Sequence, residues 1–257
     1  MAPDPAATRY RELAPPRELR QLVLCEWTLG PVPGGAGAIL PDGCMDIVWR
    51  EGHGLIAAGP DTGPAPASRP AGSTVVGARF RPGAAPTMLG IPASELRDVR
   101  VPLSELWGED AERLEERLDG ARSSADRLEL IEDALRRRLP RTERPDRLVA
   151  AAVMRLYSND PGTVRALGDA LGIGERQLRR RFHAAVGYGP KTLSRVLRLQ
   201  RVLALASRRG AARGDLARLA LDAGYADQAH MTAEVSRLAG DPPARLLASR
   251  HPVTAGI

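Results

Sequence analysis

The chain has little of what catalytic and metal-binding sites are usually built from. There are two cysteines, Cys25 and Cys44, in 257 residues, too few for a disulfide scaffold. A reduced, cytoplasmic compartment is therefore the expectation. Of four histidines, only His53 falls in the first 146 residues. A metal site made from a His/Glu cluster is not expected there, nor is any other cofactor. No G-x-S-x-G, Cys-x-x-Cys or phosphate-cradling loop occurs, so the chain does not read as an enzyme. No apolar run reaches 18 residues, which argues against a membrane span. The stretch Met1 to Arg20 is polar and contains prolines, unlike a secretory signal. Lysine is almost missing: 36 of the 37 basic residues are Arg.

What is present is an ordinary globular balance, 43% hydrophobic and 26% charged, enough for one or two domains. The charge is divided unevenly. Residues 1–146 carry 19 Arg against 23 acidic residues, a net of −4. Residues 147–257 carry 18 basic against 8 acidic residues, a net of +10. A basic unit of this size is an electrostatic footprint for a polyanion, nucleic acid first. A solvated basic surface without a partner is the bland alternative.

The first part reads as short strands separated by turns. Residues 17–29 predict a strand with Val23, Cys25 and Trp27 on one side. Met45–Trp49, Leu55–Ala58 and Thr74–Phe80 predict three more. Pro31, Pro33 and Gly34-Gly35 predict a loop, as do the Pro/Gly-rich residues 59–72. This pattern suggests a small barrel or sandwich. Leu103–Leu118 then reads as a helix. Ser123 is a candidate cap for a second, along which Leu128, Ile131, Leu135 and Leu139 recur at helical spacing. That stripe either packs on its own domain or pairs with a second copy. The expected division is 1–139 for the β-rich part with its helical tail, 140–146 for a linker, and 147–257 for a second domain.

The second part reads as helices with short connections, including a turn at Asp160-Pro161-Gly162. It contains an internal repeat. Val164-x-x-Leu167-Gly168-x-x-x-Gly172-Ile173 leads to Leu178-x-x-x-Phe182 and Gly187-x-x-Pro190. Leu216-x-x-Leu219-Ala220-x-x-x-Gly224-Tyr225 leads to Met231-x-x-x-Val235 and Gly240-x-x-Pro243, 52 or 53 residues on. Helix, Gly-containing turn and second helix make a helix-turn-helix. At about 100° per residue, Leu178, Phe182 and Ala185 share one side of the helix over 175–186. Arg176, Arg179, Arg180 and His183 fall on the other, where Arg can read guanine O6 and N7. The second copy presents Ala229, Thr232, Ala233 and Ser236 instead, flanked by Gln228 and His230. That face lacks a long donor for bidentate base contact.

At Leu148–Leu247 the chain resembles the AraC/XylS family of bacterial transcription regulators. The resemblance rests on Gly174-Glu175-Arg176-Gln177-Leu178-Arg179-Arg180-Arg181-Phe182, Gly187-Tyr188-Gly189-Pro190, Arg198-Leu199-Gln200-Arg201, Gly224-Tyr225-Ala226-Asp227 and Gly240-Asp241-Pro242-Pro243. It implies seven helices, two helix-turn-helix units joined by a long helix, and recognition helices in successive major grooves. The chain departs from the pattern at Gly168 (usually Ala), Gly174 (usually a capping Ser), Ala233 (often Arg) and Val235 (often Phe). Leu40–Trp49 and Gly77–Ala84 resemble an uncharacterised domain that precedes such DNA-binding domains, and the family analogy is a small, cupin-like β-barrel.

The expected fold is thus α+β in two domains: a small β-barrel-like N-terminal domain with helices, and an all-α double helix-turn-helix domain. The expected function is sequence-specific regulation of transcription, controlled through the first domain by a small effector or a partner. The alternatives are a non-specific basic DNA-binding protein, or an enzyme residing in the first domain. Candidate DNA contacts are Arg176, Gln177, Arg179, Arg180, His183, Gln228, Ala229, His230 and Thr232. Arg79 and Arg81 flank Phe80 in a strand and share one face, so with Cys44 they are candidates for an anionic ligand; a structural ion pair is the competing reading. Asp42 and Asp46 beside Cys44 argue against an activated thiol. Expected partners are promoter DNA, RNA polymerase, the effector, and a second copy through Leu128, Ile131, Leu135 and Leu139.

Overall fold

Residues 10–30, 35–69, 71–158, 163–208 and 216–248 are described in a computed structural model. The proposed turn at Asp160-Pro161-Gly162 and the loop residues Pro31 and Pro33 lie outside them. The centre of the N-terminal part is strand β7 (Val75–Phe80), buried at all six positions. Continuous burial fits its β-branched and aromatic sequence, because both sheet faces are covered. Around it lies a six-stranded antiparallel sheet in the order β1-β2-β7-β4-β5-β8. Its other strands are β1 (Tyr10–Leu13), β2 (Val23–Leu29), β4 (Met45–Arg50), β5 (Gly54–Ala58) and β8 (Arg100–Pro102). A separate two-stranded ribbon pairs β3 (Gly35–Ile39) with β6 (Ala65–Arg69).

Three local expectations change. The segment 59–72 is not all loop, because Ala65–Arg69 pairs with β3. A ribbon has free edges, which tolerate Pro66 and its missing N–H; pairing overrides composition. The strand expected over 17–29 begins only at Val23, after a 3-10 turn at Arg17–Leu19. A bulge between Val23 and Cys25 then puts them on opposite faces, since one extra residue inverts the alternation. Val23 joins the core with Ile47, Trp49 and Phe80, whereas Cys25 and Trp27 join the opposite cluster with Val48 and Val75. Trp27 and Trp49 are both buried.

The first sheet face is covered by α1 (Ala85–Leu89), α3 (Glu109–Gly120) and α4 (Ser124–Arg138). The helix expected over 103–118 is interrupted at Gly108, which separates α2 (Ser104–Trp107) from α3. Helix α4 opens with a capping box: the Ser123 hydroxyl accepts from Asp126 N–H, and the Asp126 carboxylate accepts from Ser123 N–H, both at 3.1 Å. Leu128, Ile131 and Leu135 are buried in this core, and Leu139 packs against it. The leucine stripe therefore binds its own sheet. The expected dimer seam is corrected: Leu128, Ile131 and Leu135 are buried and cannot meet a second copy, and only Leu139 stays half-buried.

The C-terminal part has seven helices among the described residues: α5 (Arg147–Tyr157), α6 (Val164–Ala170), α7 (Glu175–Val186), α8 (Pro190–Arg208), α9 (Leu216–Asp222), α10 (Gln228–Ala239) and α11 (Pro243–Ala248). They form two cores. One gathers Val149, Leu156, Leu167, Leu178, Phe182 and Leu193. The other gathers Leu199, Val202, Leu219, Tyr225, Met231 and Val235. Helix α8 supplies residues to both, and its 19 residues span about 28 Å. The strand-rich part also packs onto this domain. Leu40 enters the second core, and the Gln200 amide donates to the Pro41 carbonyl at 2.6 Å.

Candidate nucleic-acid interface

Helix α7 is amphipathic by its own spacing. Leu178 and Phe182 are fully buried and Val186 nearly so, while Arg176, Gln177, Arg179, Arg180 and His183 are all exposed. Among the described residues, Arg176 and Arg180 have no hydrogen-bond or ion-pair partner. They lie one turn apart, so they form a single stripe of free guanidinium groups. Arg179 differs, because its Nε donates to Glu175 Oε1 at 2.9 Å. Arg181 turns away to pair with Asp146, the cap of α5. That contact, together with the two backbone N–H groups Asp146 accepts, holds its carboxyl below the usual range in spite of burial.

Helix α10 occupies the equivalent place in the second unit but is differently equipped. Asp227 caps it, accepting from His230 N–H at 2.7 Å, whereas Gly174 offers α7 no side-chain cap. Gln228, Ala229 and Ala233 are exposed and Thr232 is half-buried. His230 is engaged at home: its ring meets Tyr225 edge-on at 5.2 Å, and its Nε2 lies 3.9 Å from Glu234. Of the candidate residues, those on α7 therefore converge on one exposed face, and those on α10 make a short-chained second face.

Sequence reasoning missed Glu234. It is buried on α10 and receives both Nε and Nη2 of Arg198 at 2.7 to 3.0 Å. Arg195 approaches it at 3.3 Å. This fork ties α10 to α8 across 36 residues, a contact that no helical spacing encodes. Also missed were Lys191, Arg195 and Arg237. With Arg179, His183 and His230 they line a cleft of about 830 Å³ between the two recognition helices. The i, i+4 spacing of Lys191 and Arg195 on α8 was the signal that could have found two of them.

The N-terminal candidates do not form an anion site. Arg79 is buried and paired with Asp46 at 3.1 Å, Asp42 at 3.3 Å and Glu12 at 3.9 Å. Burial disfavours its charge, but Asp46 and Asp42 outweigh this and raise its pKa. Three carboxylates around one guanidinium leave no free positive charge for an anion. Arg81 is exposed beyond the end of β7, and its Nε donates to the Arg20 carbonyl at 2.7 Å. Cys44 is buried; desolvation first, and the Asp42 charge second, push its thiol well above the ordinary range. Structural ion pairing replaces the ligand-binding reading of Arg79, whereas Arg81 is bonded only to a backbone carbonyl. Among the described residues no group of three or more His, Cys, Asp or Glu could hold a metal ion. No described helix is long and apolar enough to cross a membrane.

Two helix-turn-helix units joined by one helix, with a basic face on the first recognition helix, define a DNA-binding protein. Residues 167–249 match a family described as a helix-turn-helix domain. Residues 11–102 match a domain of unknown function. With the motifs of residues 174–190, 198–201 and 224–243, the helix-turn-helix match makes the C-terminal part a helix-turn-helix DNA-binding domain of the AraC/XylS type. No curated protein matches it. Among solved structures it is similar to ToxT from Vibrio cholerae at 10% identity, with a TM-score of 0.46 over 87% of this chain and 96% of that one. A fatty-acid-bound form of ToxT gives 0.44, also at 10% identity, over 86% and 93%.

Proposed function

We propose that the two units divide their work: α7 reads bases, and α10 with α8 holds the phosphate backbone. The observation that carries this is the pair Arg176 and Arg180, exposed and unpartnered on the face opposite Leu178 and Phe182. An Arg free of intramolecular partners can present its planar fork to a guanine edge without first breaking an ion pair. The corresponding α10 face ends in Ala229, Thr232 and Ala233, which can meet a thymine methyl or a phosphate only. Gln177, His183 and Gln228 flank the two faces and add polar contacts.

In this reading residues 1–139 sense a small effector or a partner protein, 140–146 connect, and 147–257 bind promoter DNA in the cytoplasm. RNA polymerase is the partner through which binding is read out, and no catalytic step is assigned to the first domain. The test is competition between the protein's own promoter and random duplex at several salt concentrations. Both affinities should fall as counterions are released, with the promoter favoured throughout. Equal competition at every salt concentration would support the non-specific binder instead.

A further inference from the structure

The two recognition helices end alike. Each stops at a glycine in the left-handed region, Gly187 (φ 92°) after α7 and Gly240 (φ 77°) after α10. Both glycines are touched by prolines of one loop of the N-terminal part. A Cβ on Gly187 would stand 2.5 Å from Pro60 Cγ, and one on Gly240 would stand 3.2 Å from Pro64 Cγ. One loop thus reaches the same structural position in both units of the repeat.

The loop is firmly anchored in its own domain. Gly59 N–H donates to the Val99 carbonyl at 3.0 Å, and Asp98 N–H to the Pro60 carbonyl at 3.2 Å. The Asp98 carboxylate accepts from the Thr62 backbone N–H and hydroxyl. Arg100 forks onto Asp61 through both terminal nitrogens. A second contact comes from the neighbouring turn. Gly43 lies against Leu193 on α8, beside the Gln200 to Pro41 hydrogen bond. The turn follows β3 and the loop precedes β6, at the end of the ribbon where Ile39 pairs with Ala65. One end of one ribbon thus touches α7, α8 and α10, while α7 also packs on the Ala93–Glu95 turn and on α1.

We propose that this ribbon end is a brace that fixes the relative orientation of the two helix-turn-helix units, and so selects the spacing between the two DNA half-sites. The proposal rests on the DNA-binding reading above. Beside the brace the units are coupled through α8, the fork at Glu234, and the packing of Ala93–Glu95 on α7 and of Leu40 in the second core. With the brace, both recognition helices are referenced to the same rigid loop.

The test uses the full chain and the double variant Pro60→Ala/Pro64→Ala. The loop's anchoring hydrogen bonds come from backbone groups and from Thr62, Asp98 and Arg100, so the variant removes ring contacts and keeps the loop. Spin labels at Ala184→Cys on α7 and Leu221→Cys on α9 report the distance between units; Cys25 and Cys44 are buried and escape labelling. The parent should give one narrow distance distribution and the double variant a broad one. Promoter fragments with one base pair inserted between the half-sites, a rotation of about 35°, supply the second readout. The parent should lose about tenfold or more in affinity, because geometry then opposes simultaneous engagement, and the double variant less than about threefold. An unchanged, narrow distribution in the variant overturns the brace, as does an unchanged spacing profile. If neither protein distinguishes promoter from random DNA, the regulator reading fails, and the distances alone decide the brace.

Discussion

Arg180→Ala is the sharpest single perturbation of the proposed reading face. The side chain is exposed and has no partner within the described residues, so its removal should leave stability within about 0.5 kcal/mol. Its loss on DNA is different. A bidentate Arg–guanine pair contributes roughly 1–3 kcal/mol of discrimination, which is about 5- to 150-fold in relative affinity at one position. A phosphate contact would instead lower affinity on all sequences and reduce the salt slope by about one unit. The assay is selection from a randomised duplex library with parent and variant, together with salt titrations on one promoter fragment. The expected result is a motif in which guanine preference disappears at one or two positions while the salt slope stays the same. Arg176→Ala should act similarly at a neighbouring position, one helical turn away. Thr232→Ala should leave the motif nearly intact. A variant motif identical to the parent's, or equal information in both half-sites of the parent, would show that α7 does not present its Arg176 and Arg180 stripe to bases.

Glu234→Gln removes the buried charge that Arg198 and Arg195 share. Breaking one side of such a pair costs roughly 3 kcal/mol, so the thermal midpoint should fall by about 6–12 °C; a calorimetric scan unchanged by the substitution would refute the role of the fork. Glu26 is buried on β2, and desolvation together with contact to Glu132 raises its carboxyl to about 8. Its protonated form is favoured by folding, so the stabilisation is full below about pH 4.3 and is lost as pH rises through about 8. Denaturant titrations from pH 5 to pH 9 should show falling stability, and Glu26→Gln should flatten that slope. Ser123→Ala removes one half of the α4 capping box and should destabilise the chain by about 1 kcal/mol, read as a lower denaturant midpoint at constant slope. The Tyr188 hydroxyl is buried without a described partner, so Tyr188→Phe should be neutral or stabilising in the same titration.

Local information carried the C-terminal part. The bounds of α7 and α8 follow from spacing and end signals within a dozen residues: buried positions recur every three or four, Gly187 stops one helix and Pro190 starts the next. The opposition of Leu178 and Phe182 to Arg176 and Arg180 is a consequence of 3.6 residues per turn, and needs no partner to be derived. The repeat itself told which helix of each unit should read DNA. Tertiary structure decided what depended on a distant neighbour. The 59–72 segment contains a strand because β3 comes to pair with it, and the bulge after Val23 separates residues that alternation alone had placed together. The leucine stripe of α4 looked the same whether it faced a sheet or a second copy; the sheet took it. Arg79 was open between an anion site and an ion pair until Asp46, Asp42 and Glu12, from elsewhere in the chain, decided for the pair. Glu234 found Arg198 in the same way. Helical periodicity is written in neighbours three or four residues apart, but a salt bridge, a strand partner or a domain contact is chosen among all residues of the chain, and only packing makes that choice.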